Sequence, residues 1–142
     1  MNKLSIVFID NSESDFTGYD LNTTKVRGTE ASIILLSESF VKKGFNVTVL
    51  TCTQQMVLCN NVTYLNKYKI PTNNFNICIA VSNANLFYGI KADKYVVWSN
   101  SLQSIEKFIR KKQLLPFLRF KPKVMAMCNY QYQKRSFFTA FY

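Results

Sequence analysis

Apolar residues fall along this chain in short runs separated by polar segments, and the spacing within the runs changes from one to the next. Lys3 to Ile9 is a near-continuous apolar run, the pattern of a strand covered on both faces. Asn11 to Arg27 follows, rich in Ser, Asp, Thr and Asn. It is longer than the usual strand-to-helix connection, and long loops in compact domains are often binding loops. From Gly28-Thr29-Glu30 the period becomes helical: Ile33, Leu36 and Phe40 recur on one face, widened by Ile34 and Val41. Thr29 is the expected N-cap, Glu30 complements the positive helix end, and Gly44 is the stop signal. Asn46 to Cys52 is β-branched and reads as a second strand, which makes a βαβ unit with parallel strands and a right-handed crossover.

The remainder continues the alternation. Val62 to Leu65 predicts a short third strand, Pro71 with Asn73-Asn74 a turn, and Phe75 to Val81 a fourth strand. Asn83 to Tyr88 reads as a short helix ending at Gly89, and Lys94 to Trp98 as a fifth strand running into Ser99-Asn100-Ser101. Leu102 to Phe120 has helical spacing, kinked or divided by Pro116. Val124 to Cys128 is a sixth strand, and Asn129 to Phe141 begins another helical stretch. No internal repeat and no linker interrupts the pattern. The expectation is a single Rossmann-like α/β domain over residues 1–142. Its sheet is open and mostly parallel, of about six strands, with helices on both faces.

Charge changes the picture at one end. The chain carries a net charge of +10, and Ser101 to Tyr142 holds nine basic residues against one acid, Glu106. Such a lopsided basic face implies an anionic partner. Between Lys107 and Lys123 the cations alternate with Phe108, Ile109, Leu114, Leu115, Phe117, Leu118 and Phe120. The segment either lies on an anionic membrane, apolar side down, or is an ordinary crossover helix packed on the sheet with its charges in water. Nucleic acid is not an expected partner, since no RNA-binding or helix-turn-helix signature accompanies the cations. No apolar run approaches the ~20 residues of a membrane span, and the first strand is too short for a signal core. The cysteines, Cys52, Cys59, Cys78 and Cys128, form no C-x-x-C pair, and the chain has no histidine. A metal site is therefore not expected, Cys52 and Cys78 read as small buried hydrophobes, and a reduced, cytoplasmic protein fits best.

Ligands of open parallel sheets collect outside the carboxyl ends of the strands. Three segments fall there: the loop ending at Gly28-Thr29-Glu30, the Ser99-Asn100 edge, and Asn129 with its neighbours. Gly28 either admits a phosphate or sugar close to a helix start or merely allows the turn. No G-x-G-x-x-G and no Walker motif is present, so NAD binding and P-loop hydrolysis lack support. Without histidine, a Ser-His-Asp or Cys-His mechanism is excluded. Carboxylates remain as bases: Asp10, Glu30 and Asp93 are the candidates, each with solvated or capping roles as the alternative.

A family likeness runs through these same residues. Arg27-Gly28-Thr29-Glu30, the helix, and Lys43-Gly44-Phe45-Asn46-Val47-Thr48-Val49-Leu50 resemble the opening of glycosyltransferase family 4. Val96-Val97-Trp98-Ser99-Asn100-Ser101-Leu102-Gln103 is similar to the "Trp, His-Asn, Pro-Leu-Gln" segment of some members, as is Lys111-Lys112-Gln113-Leu114-Leu115-Pro116. Lys121-Pro122-Lys123-Val124 through Tyr130-Gln131 resembles the next strand and its "S-x-x-Q" turn. The resemblance implies the N-terminal, acceptor-side domain of a GT-B enzyme, which transfers sugar from a nucleotide-sugar in a cleft between two domains. By carry-over Gly28 lines the cleft, and Ser99 or Asn100 lies near the reacting sugar. The partners implied are a sugar or lipid-linked acceptor and a donor-binding C-terminal domain or subunit. No cofactor is expected in this chain, and the nucleotide-sugar binds only with the second half. The usual histidine is replaced by Ser99 or Asn100, and the paired-glutamate donor motif is missing, so little transferase activity is expected of the chain alone. From another class, a non-catalytic Rossmann-like module for an anionic ligand or partner fits the same residues.

Overall fold

Ser5–Ile9 forms β1, and four of its five residues are buried because strands flank it on both sides and cores cover both faces. The computed structural model describes residues 3–99 and 113–126. Within them, α1 spans Gly28–Lys42 and β2 Asn46–Thr51. A short β3 (Val57–Cys59) precedes β4 (Val62–Asn66), followed by β5 (Asn74–Val81) and β6 (Lys91–Ser99). Helix α2 (Leu114–Phe120) and β7 (Lys123–Ala126) complete the described chain. The sheet order is β3-β4-β2-β1-β5-β6-β7, and every pairing is parallel except β3 with β4. Counted along the chain, the six parallel strands stand in the order 3-2-1-4-5-6, the doubly wound Rossmann arrangement, as the alternation of elements predicts. The order reverses between β1 and β5, where Ile6 pairs with Ile77 and Ile9 with Ala80.

Alternate residues of each strand feed two cores. Ile33 and Ile34 of α1 close over Ile6, Phe8, Val47, Val49 and Trp98 on one face. On the other, Val7, Ile9, Leu50, Cys78 and Val97 meet Phe87, Phe117 and Phe120, so helices do lie on both sides. Phe87, Tyr95 and Phe120 pack edge-on or tilted, with centroids 4.8–5.5 Å apart. A doubly wound fold ordinarily places a second helix beside α1, on the connection from β2 to the next parallel strand. Here that connection carries the β3 hairpin instead, and the loop 10–27 fills the space. Phe16 is fully buried, Leu21 and Val26 pack beside it, and Thr51 Oγ1 donates to the Phe16 carbonyl at 3.2 Å. The long polar loop is thus in large part a core cover.

Four readings need correction in detail. The β3 hairpin escapes a pattern search because its two-residue turn, Asn60-Asn61, carries both residues at positive φ (49° and 60°) without the glycine that signals such turns. Helix α1 is capped at Arg27 rather than Thr29, because the Glu30 carboxylate reaches back to the Arg27 N–H at 3.1 Å and starts the helix earlier. Among the described residues Pro116 does not interrupt a helix. It is the third residue of α2, in the first turn, where an N–H has no helical partner to lose. Cys52 lies one residue beyond β2 and is half-buried, whereas Cys78 is buried as expected. The helical readings over 102–112 and 129–141 lie outside the described residues.

Candidate functional site

The reversal of strand order opens the carboxyl edge between β1 and β5, and the residues leaving those strands build its rim. Asp10 follows β1 directly, and its backbone N–H reaches the Leu50 carbonyl at 3.2 Å. From Asn11 the loop swings toward β2 and β4, and several polar ties fix it there. Cys52 N–H donates to the Ser14 carbonyl at 3.2 Å. Lys67, immediately after β4, donates from Nζ to the Ser12 carbonyl at 2.6 Å and to Glu13 Oε1 at 3.1 Å. Tyr68 Oη donates to Glu13 Oε2 at 2.5 Å, and Ser14 Oγ to Glu30 Oε1 at 3.1 Å. At the β1–β5 junction Asn83 Nδ2 donates to Asn11 Oδ1 at 2.9 Å. Ser82, the residue between β5 and Asn83, sits at φ 62°, with its N–H bonded to the Trp98 carbonyl at 2.9 Å. A serine held in the left-handed region at a strand end is strained backbone of the kind that clusters at binding sites. Asn83 caps the short 3-10 turn Ala84–Phe87 by accepting from the Asn85 N–H at 3.0 Å.

Among the described residues the rim is acidic. Asp10 is 2% exposed, and burial pushes its carboxyl above the ordinary value, with the nearby Glu30 charge adding to the rise. The Ser12 hydroxyl, bonded to Asp10 Oδ2, and the Lys67 charge oppose it. Glu13 goes the other way. The Tyr68 phenol and then Lys67 hold its carboxyl below the usual range, and the bonded phenol is pushed up to about 12. The Cys52 thiol is raised by burial and by Glu13, so it is a poor nucleophile near neutral pH. An anion approaching the start of α1 meets Asp10 and a Glu30 carboxylate already seated there. The rim can instead exchange hydrogen bonds with neutral hydroxyl groups through one carboxylate and two amides.

The residues singled out from sequence separate into groups. Glu30 is buried and Thr29 half-buried beside this rim. Gly28 is exposed, its backbone is not left-handed, and a Cβ there would stand in open space, so nothing in the chain itself requires glycine. Ser99 ends β6 on the same edge and is 1% exposed. Asn100 and Asn129 lie outside the described residues. Of the three candidate bases, Asp10 and Glu30 come together. Asp93 does not: it sits near the start of β6, exposed, where Asn76 Nδ2 donates to it at 3.0 Å. Sequence reasoning missed Asn11, Ser12, Lys67, Ser82 and Asn83. The signal was available, since each follows the end of a predicted strand, and the carboxyl-end rule applies to every strand alike.

Among the described residues no group of side chains is arranged to hold a metal ion, and the cysteines are free. No helix among them is long and apolar enough to cross a membrane. No family model, curated protein or solved structure matches the chain.

Proposed function

We propose that this chain is a sugar-binding α/β domain, the acceptor side of a glycosyltransferase whose donor half is a second domain or subunit. The reading rests on the sequence likeness to glycosyltransferase family 4 and is supported by one observation above all. At the switch point of a 3-2-1-4-5-6 sheet, the polar groups are Asp10, Asn11 and Asn83 rather than a glycine cradle. Carboxylates and amides are the side chains that address sugar hydroxyls, each accepting or donating in the plane of the group. In this reading Asp10 exchanges a hydrogen bond with a hydroxyl of the bound sugar. The acceptor is a free or lipid-linked sugar, and the nucleotide-sugar is the business of that second domain or subunit. A cytoplasmic setting, with contact to an anionic membrane through 107–123, belongs to the same proposal. The alternative of an anionic ligand loses ground at this rim, because Asp10 and Glu30 repel it.

The test is a calorimetric titration of the chain with nucleotide-sugars and with acceptor sugars, repeated in the presence of a chain encoded beside it. Turnover only in the mixture, with acceptor binding by this chain alone, is the expected result. Tight nucleotide binding by this chain alone would overturn the division of labour.

A further inference from the structure

The parallel topology sorts charge along the strand axis. Among the described residues the carboxyl edge carries Asp10, Glu13 and Glu30, with Lys67 paired to Glu13. The opposite edge is where the parallel strands begin and the crossover helices end. Topology places there Lys3 before β1, Lys42 and Lys43 between α1 and β2, Lys91 opening β6, and Lys121 and Lys123 between α2 and β7. All six are exposed. The two acids nearest this edge are already engaged, Glu38 by the Asn60 amide at 2.8 Å and Asp93 by Asn76. Lys43 and Lys123 flank strands four places apart in the sheet, so the cations extend over about 19 Å at ~4.8 Å per strand.

Exposed leucines accompany the cations. Leu4 is 52% exposed just before β1, and Asn46 N–H is bonded to its carbonyl at 2.9 Å, which fixes it beside the start of β2. Leu118 is 55% exposed in the last turn of α2, with Leu115, 71% exposed, one turn earlier. The other side of α2 is spent on the core through Pro116, Phe117 and Phe120.

We infer that the amino edge of the sheet docks on an anionic lipid bilayer, with the carboxyl-edge crevice facing away from it. The cations match the headgroup charge, and exposed leucines between cations suit the boundary of headgroups and acyl chains. A polyphosphate such as nucleic acid would use the lysines and leave the leucines without a role. In this pose the crevice stands about 26 Å above the surface, the length of the eight-residue β5 at ~3.3 Å per residue. The acceptor sugar is then one that projects from the bilayer or arrives from solution. The docking deepens the anionic-membrane contact proposed above and moves it to the amino edge, but it needs nothing from the sugar reading, so either can fail without the other.

The experiment is co-sedimentation of the chain with vesicles of phosphatidylcholine alone and with vesicles containing three-tenths phosphatidylglycerol. A fluorescent DNA duplex and a polyglutamate peptide serve as competing anions. Binding is expected only with phosphatidylglycerol and weakens steeply with salt. A Lys42→Glu, Lys43→Glu, Lys121→Glu, Lys123→Glu variant loses at least a hundredfold in partitioning, and Leu4→Ser with Leu118→Ser about tenfold. A photoreactive headgroup labels 42–46 and 118–123 and spares 10–14 and 82–84. Circular dichroism checks both variants, and the labelling pattern of the unmodified chain decides where a variant fails to fold. Equal binding to neutral vesicles, tighter binding to the duplex with the leucine variant unaffected, or labelling at the carboxyl edge would each overturn the inference.

Discussion

The Lys67 ammonium is tied into the acidic rim, and replacing it with methionine tests how that rim is held together. Its side chain is 6% exposed and donates to the Ser12 carbonyl at 2.6 Å and to Glu13 at 3.1 Å. The Glu13 partner is 73% exposed, so the ion pair itself is worth no more than ~1 kcal/mol. The charged hydrogen bond to a partly buried carbonyl is worth more, about 1.5–3 kcal/mol. Methionine keeps the apolar stem, so packing changes little. The sum is a loss of roughly 2–4 kcal/mol for Lys67→Met. In a chain of 142 residues that lowers Tm by about 7–13 °C. Thermal unfolding followed by circular dichroism at pH 7 reads the effect. Lys67 also opposes the rise of the Asp10 carboxyl, so adding Asp10→Asn should recover part of the loss rather than add to it. A single variant within about 0.5 kcal/mol of the parent, or strictly additive variants, would refute Lys67 as the clasp of the loop.

Three further changes follow from the same packing. The Asp10 carboxyl lies above its unfolded value, so the stability tied to its neutral form is present at low pH and lost as pH rises through the folded value. Asp10→Asn should therefore raise Tm at pH 7, with the gain shrinking toward pH 4, while weakening sugar binding in a titration. Phe16→Ala should cost about 3–5 kcal/mol by denaturant unfolding, because this fully buried ring stands where a helix would otherwise cover the sheet. Asn61→Gly, at φ 60° in the β3–β4 turn, should stabilise by about 0.5 kcal/mol, since that turn favours glycine in its second place.

The strands that build the sheet were legible because their apolar runs are continuous, and parallel strands buried on both faces leave that mark. Phe75 to Val81 reads as a strand from sequence and is one. The predicted fifth strand begins three residues earlier, at Lys91, because Lys91, Asp93 and Lys94 are exposed near the edge and interrupt the apolar pattern. What stayed hidden depends on contacts distant in sequence. Nothing local in Asn11 to Arg27 distinguishes a binding loop from a core cover, and only the Phe16 packing decides it. The site was half legible. Asp10 and Glu30 were candidates by residue type and place, whereas Lys67 reaches its partners across 54 and 55 positions of chain. At Gly28 the space beside the backbone is open, so packing within the chain does not explain the glycine.

The central claim is that the junction of β1 and β5 receives neutral hydroxyl groups. Amide chemical shifts of the isotope-labelled chain, followed while simple methyl glycosides are added, test it most directly. Saturable shifts confined to residues 10–14 and 82–84, absent in Asp10→Asn and unaffected by inorganic phosphate, are the predicted result. Shifts that appear with phosphate but not with sugars, or that map to the β3–β4 hairpin, would contradict it.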